Sequence, residues 1–160
     1  MRVRIHVIFY ILILCYLTSC SVLFYRLNKE RVPYNGAKIE KEFIQHVETF
    51  SIRCHKKVDF DMYFAVMPPP IAGMCDFSFF PSRYKYIEID YSFWFTADHW
   101  QREVLIAHEL GHCVMNIIGH NNKVVKTEGY ERPASIMHKN VLDSYDYYAN
   151  RDYYLKELCD

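Results

Sequence analysis

The sequence carries no excess of either charge: 19 Lys and Arg stand against 19 Asp and Glu, a formal net charge of zero. The two signs are mixed along the chain with no basic stripe, which excludes the electrostatic footprint of a nucleic-acid-binding protein. There is no internal repeat and no low-complexity tail, so repeat architectures are excluded too. Among the six cysteines no Cys-x-x-Cys pair occurs, which argues against a zinc site built on thiolates. What the chain does have is apolar material: 51% hydrophobic and 17% aromatic residues in 160 positions, enough for the core of one compact domain once a leader is set aside.

The leader is legible in the first twenty residues. Arg2 and Arg4 open it, residues 3–17 are apolar apart from Arg4 and His6, and Leu17-Thr18-Ser19-Cys20 closes it. This is the layout of a secretory signal peptide. Its last four residues resemble the lipobox of bacterial lipoproteins, which implies a signal over 1–19 and Cys20 as a lipidated mature N-terminus. Two or more acyl chains hold a protein stably on a bilayer. The alternative is an uncleaved anchor, because Ser21 to Tyr25 extends the apolar run to about the 20 residues that span a bilayer. Either way the chain is expected to be membrane-anchored and extracytoplasmic. Residues 20–36 are then the lipidated N-terminus and a polar linker, and 37–160 the domain.

Four cysteines remain: Cys54, Cys75, Cys113 and Cys159. An even number in an oxidising compartment suggests two disulfides with three possible pairings. The favoured one is Cys54–Cys75, closing the first strand region, with Cys113–Cys159 tying the central helix to the C-terminus; four buried thiols are the alternative.

Ile39, Phe43, Val47 and Phe50 recur at helical spacing. Residues 58–66 alternate, with Val58, Phe60, Met62, Phe64 and Val66 on one side, and predict a half-buried strand that Pro68, Pro69 and Pro70 end. Residues 71–85 read as a loop and 86–91 as a second strand. Asp98 with Gln101 matches a capping box in spacing and predicts a helix from about Trp100 to Met115, with Asn116 and Gly119 as terminators. Residues 120–134 read as loop. A last helix is expected within 143–158, burying Tyr147, Tyr154, Leu155 and Leu158. The order α, β, β, α, α makes the class α+β.

The chemistry sits on the central helix, at His108-Glu109-Leu110-Gly111-His112. Two imidazoles four residues apart share one helical face and can both reach one Zn²⁺ at about 2.0–2.1 Å. Glu109, one residue on, points to the edge of that face, where it reaches a water instead of the metal and can act as general base. This is the His-Glu-x-x-His arrangement of zinc peptidases. Gly111 is a poor helix former, costing roughly 1 kcal/mol against Ala, so its lack of a side chain predicts close approach of another element. A catalytic zinc needs a third protein ligand and an open position. His120 is the best candidate. Eight residues of continuing helix would carry it about 12 Å too far, so the chain must turn back at Asn116 or Gly119. Glu131, with Glu128, is the runner-up. His99 reads as a surface residue, His46 and His55 carry no metal spacing, and His138 reads as an outer or surface neighbour.

His-Glu-x-x-His, then Gly119-His120, then Ser135-Ile136-Met137-His138, resembles the metzincin metallopeptidases over roughly residues 86–158. The resemblance implies a zincin-like fold: a small twisted sheet packed on an active-site helix, with a C-terminal helix after a Met-turn. It implies His108, His112 and His120 as zinc ligands, Glu109 as base and Met137 as an apolar floor. The pattern departs from that family in spacing: Met115 and Ile118 stand where its glycine and third histidine fall, and Gly119-His120 comes two residues late. Lys139 stands where some members carry a tyrosine ligand. By the same resemblance Ile87 to Tyr91 is a candidate edge strand for an extended substrate; the other reading is an ordinary core strand. Trp94, Phe95 and Trp100 line a pocket or belong to the core. The expected activity is zinc-dependent hydrolysis of extracytoplasmic peptides or proteins. The alternatives are a non-catalytic zinc-binding lipoprotein and a zinc amidase acting on cell-wall peptides.

Overall fold

Asp98 and Gln101 set the start of the helix around which the chain is built. In the computed structural model, which describes residues 31–32, 37–58, 61–77, 85–127 and 129–160, Asp98 Oδ1 accepts from the Trp100 and Gln101 amides at 2.8 and 3.0 Å, and Gln101 Oε1 accepts from the Asp98 amide at 3.1 Å. The expected capping box is complete. The readings on the leader, on Cys20, and on Glu128 lie outside the described residues.

The chain runs through β1 (Arg31–Val32), α1 (Ala37–Cys54), β2 (Asp61–Ala65), β3 (Gly73–Phe77), β4 (Lys85–Asp90), α2 (Tyr91–Thr96), α3 (His99–Cys113), β5 (Val124–Thr127), β6 (Tyr130–Pro133), α4 (Ser144–Ala149) and α5 (Arg151–Cys159). The class is α+β. β1 pairs with β2, and the compact unit that holds them runs from Arg31 to Asp160.

The larger sheet has the order β1-β2-β4-β3, with β2 and β4 parallel and the other pairs antiparallel. β4 is therefore an inner strand: Ile87 pairs with Met62 on one side and Cys75 on the other. This corrects the edge-strand expectation for 87–91. A strand with both backbone edges paired cannot take a further strand. The edge belongs to β3, inside the segment read as a loop. β3 is short and carries Gly73 and Asp76, so it lacks the apolar alternation that marks a strand, and pairing with β4 supplies its order. The segment 120–134 is also not loop throughout, since β5 and β6 form a two-stranded hairpin there. The last helix is two helices, α4 and α5, meeting at Asn150. α2 had no sequence expectation; Asp90, closing β4, starts it by accepting from the Phe93 amide at 2.8 Å.

α3 packs against α1, β3, β4 and α4. From Glu103 to Gly111 every residue of it is buried, so its apolar face is not a stripe but most of the cylinder. Around it lie Phe50, Phe64, Ile87, Ile89, Trp94 and the four C-terminal positions expected in the core, Tyr147, Tyr154, Leu155 and Leu158. Trp94 is core, Phe95 is exposed, and neither lines the cleft described below.

All four described cysteines are bridged, but with different partners from those expected: Cys54 with Cys159 and Cys75 with Cys113. The first bridge closes the end of α1 on the end of α5, which pack together. The second ties the edge strand β3 to the last turn of α3. Proximity in space decides the pairing, and neither contact is visible as a spacing in the chain.

Candidate metal centre

The end of α3 and the chain that follows it bring His108, His112 and His120 together. One ligand atom from each lies within 4.8 Å of the others. The return that His120 needs is made at Asn116, whose φ of 57° is left-handed, a conformation asparagine tolerates. The amide of Ile117 then caps the Gly111 carbonyl at 3.1 Å. Gly119 adds a second left-handed residue at φ 79°. These two turns accommodate the two extra residues by which the Gly-His pair is late. Glu131, the runner-up, is not part of the cluster; it is exposed on β6 and pairs with Lys126 Nζ at 2.5 Å.

Backbone carbonyls aim the two helical imidazoles. His108 Nδ1 donates to Ile136 O at 2.9 Å and His112 Nδ1 donates to Ile117 O at 2.7 Å. A carbonyl only accepts, so each Nδ1 holds the ring proton and each Nε2 is left as a lone pair. Those two Nε2 atoms stand 3.2 Å apart. Two lone pairs at that distance repel unless a cation lies between them. A proton is a poor choice: burial, helped by the neighbouring His112, His120 and His138 and opposed by the Ile136 bond, holds His108 down at about 4. A metal ion fits, because two donors at about 2.0–2.1 Å from a tetrahedral zinc are roughly 3.3 Å apart.

The turn at 135–138 is built under this helix. His138 N–H donates to Ser135 O at 3.2 Å, Met137 N–H to Ser135 Oγ at 3.0 Å, and Ser135 Oγ to Glu157 Oε2 at 3.0 Å. Its link to the histidines is Ile136 O on His108. Its link to the helix is Met137: a Cβ on Gly111 would sit 2.5 Å from Met137 Sδ and 3.0 Å from Leu158 Cδ1. The close approach expected at Gly111 is therefore that of Met137 and Leu158. Asn121 N–H donates to Met137 O at 2.9 Å, which fastens the His120 segment to the same turn.

Glu109 lies against β3. A Cβ at Gly73 would come within 2.9 Å of its Oε1 and 3.0 Å of Leu105 Cδ1, so the carboxylate occupies the space that Gly73 vacates. Burial pushes the Glu109 carboxyl up to about 8, against one hydrogen bond from the Cys75 backbone. A dication nearby favours its ionised form.

The four groups line one cleft of about 640 Å³. Residues 70–75, 117–120 and 138–141 line it as well. His138 and Lys139 face into it, and no sequence signal marks them beyond their place after the turn. The lining at 70–75 was hidden with β3, which composition assigns to a loop. His120 is exposed, so the cluster of three histidines has an accessible side. His46 and His99 are not part of it; they meet each other at the other end of α3, with ring centroids 4.9 Å apart. Comparison with protein-family models, with curated proteins and with solved structures returned no match.

Proposed function

We propose that this chain is a zinc-dependent metallopeptidase with a zincin-like, metzincin-related site, acting on extracytoplasmic peptides or proteins in an extended conformation. The observation that carries the reading is the pair of Nε2 lone pairs facing each other at 3.2 Å, both fixed by backbone carbonyls, with His120 beside them and Glu109 in the same cleft. His108, His112 and His120 would hold the ion, and zinc bound there supplies Lewis-acid polarisation of a carbonyl and a more acidic water.

The protein's own groups do the rest. Glu109 accepts the proton of the attacking water and returns it to the leaving amine. The Cys75 amide steadies its carboxylate, and the Cys75–Cys113 bridge keeps that amide in place relative to α3. β3, whose second edge takes no strand among the described residues, lines the cleft through residues 73–75 and suits an antiparallel substrate strand, whose backbone bonds would present a peptide carbonyl to the centre. The accessible side favours an enzyme over a closed structural site. In this reading the domain works outside the cytoplasm, held to a membrane by lipid on Cys20 or by an uncleaved anchor; two disulfides support an oxidising compartment.

The test is metal content. The full-length chain in detergent micelles, stripped and reloaded with zinc, is expected to lose the ion from this centre in His120→Ala, read by mass spectrometry of bound metal. Full retention by His120→Ala removes His120 as third ligand. Gly73→Ala probes the base without touching a ligand: its methyl group displaces the Glu109 carboxylate, so kcat should fall several-fold or more while zinc affinity holds. An unchanged kcat would show that the packing of Gly73 on Glu109 does not position the base.

A further inference from the structure

The N-terminal end of α3 carries a second cluster of metal-ligating groups. Glu42 and His46 are four residues apart on α1; His99 and Glu103 are four residues apart on α3. Each pair lies on one face of its helix, and the two faces meet. His46 Nε2 is 4.0 Å from Glu42 Oε1 and His46 Nδ1 3.7 Å from Glu103 Oε2. His99 Nδ1 is 3.7 Å from Glu42 Oε1 and His99 Nε2 4.0 Å from Glu103 Oε2.

His46 is the telling member. It is 2% exposed, and neither ring nitrogen has a hydrogen-bond partner among the described residues. A buried imidazole costs free energy unless something satisfies it. What both nitrogens face are carboxylate oxygens beyond hydrogen-bond reach. Those oxygens are also turned inward by design of their partners. Glu42 gives its other oxygen, Oε2, to Arg102 Nη1 at 2.8 Å. Glu103 gives Oε1 to Tyr147 Oη at 2.7 Å and to Arg151 Nε at 2.6 Å. Glu42 Oε1 and Glu103 Oε2 stay free to meet the histidines.

We propose that Glu42, His46 and His99 bind a second divalent cation. One ligand atom each from Glu42, His46 and His99 already lie within 4.8 Å of one another. Tetrahedral zinc asks for donors roughly 3.3 Å apart, so the three must close by up to about 1.5 Å around the ion. Two imidazoles with a carboxylate suit zinc or cobalt better than calcium or magnesium. The ion joins α1 to the start of the helix that carries His108, about 13 Å away along its axis, which makes its role structural.

The experiment counts metal in two backgrounds. The full-length chain in detergent micelles is stripped with a chelator, dialysed against zinc and assayed for zinc per chain. The wild type is expected to hold about two equivalents, and His112→Ala and His99→Ala about one each; zinc should raise the melting temperature of His112→Ala but not of the double variant. His99 is on the surface, with a side chain 44% exposed, so its removal leaves the fold in place, as circular dichroism would check. Loss of zinc in His99→Ala alone, with His112→Ala as background, is independent of the hydrolytic centre. A wild type that binds one equivalent, removed by His112→Ala, overturns the second site, as does a His99→Ala protein that still binds two.

Discussion

Glu109→Gln is expected to lower hydrolysis of an unstructured protein substrate by about a hundred- to ten-thousand-fold while bound zinc stays at the wild-type level. That range is what positioned general acid–base groups contribute. The substitution keeps the side chain's shape in a site where shape matters, since Glu109 is buried and fills the hollow at Gly73. The amide can still accept the Cys75 backbone hydrogen bond but cannot take a proton from water. Metal retention is expected because the proposed donors are His108, His112 and His120, and Glu109 orients neither helical imidazole: His108 and His112 hang from Ile136 O and Ile117 O. The pairing of outcomes is what makes the test sharp. Hydrolysis surviving in Glu109→Gln would rule out the base and with it the proposed mechanism. Loss of zinc together with activity would show that Glu109 is itself a donor, contrary to its place against β3.

The second large effect concerns stability. Cys54→Ser/Cys159→Ser should cost more than Cys75→Ser/Cys113→Ser, because the bridges span 105 and 38 residues. The chain-entropy relation gives about 4.8 kcal/mol for the longer loop and about 3.9 kcal/mol for the shorter. Typical measured values of 2–5 kcal/mol bracket both, and set against a domain stability of roughly 5–15 kcal/mol either loss is severe. Urea unfolding of each double variant reads the difference. The single variants carry the pairing: Cys54→Ser and Cys159→Ser should each cost about what the double does, because one missing partner already opens the bridge. If Cys54→Ser instead proved additive with Cys159→Ser and non-additive with Cys75→Ser, the bridges would be the ones suggested by order along the chain. The shorter bridge has a functional side. It joins the edge strand to α3, so its loss should also raise KM for an extended peptide without removing zinc.

The local signals were the ones legible in the chain. The helix start at Asp98 is a matter of one carboxylate and two amides within three residues, and any α3 beginning there places His108 and His112 on one face with Glu109 beside them. Gly111 announced a close approach, and the turn at 116–119 announced that the chain comes back. Each of these depends on residues within about one helical turn or one tight turn, where the backbone leaves few choices. The four buried positions of the C-terminal helices belong here as well, since helical spacing alone selects them.

What the chain order could not show are contacts between segments far apart. β3 has no strand pattern of its own; it is a strand because β4 pairs with it, and that pairing moves the free edge from 87–91 to 73–77. The cysteine partners follow from α1 meeting α5 and β3 meeting α3, not from spacing. Ile136 O reaching His108 and Met137 filling the space at Gly111 join residues 28 and 26 positions apart. His46 looked ordinary because its partners, His99 and Glu103, lie on another helix. So the two histidines and the glutamate of the central motif are a property of the local chain, whereas the third donor's position, the wall that holds Glu109 and the cluster at the other end of α3 arise only when burial brings separate elements together. Packing is non-directional and long in range along the sequence, and hydrogen bonds and ion pairs form wherever it sets suitable groups side by side.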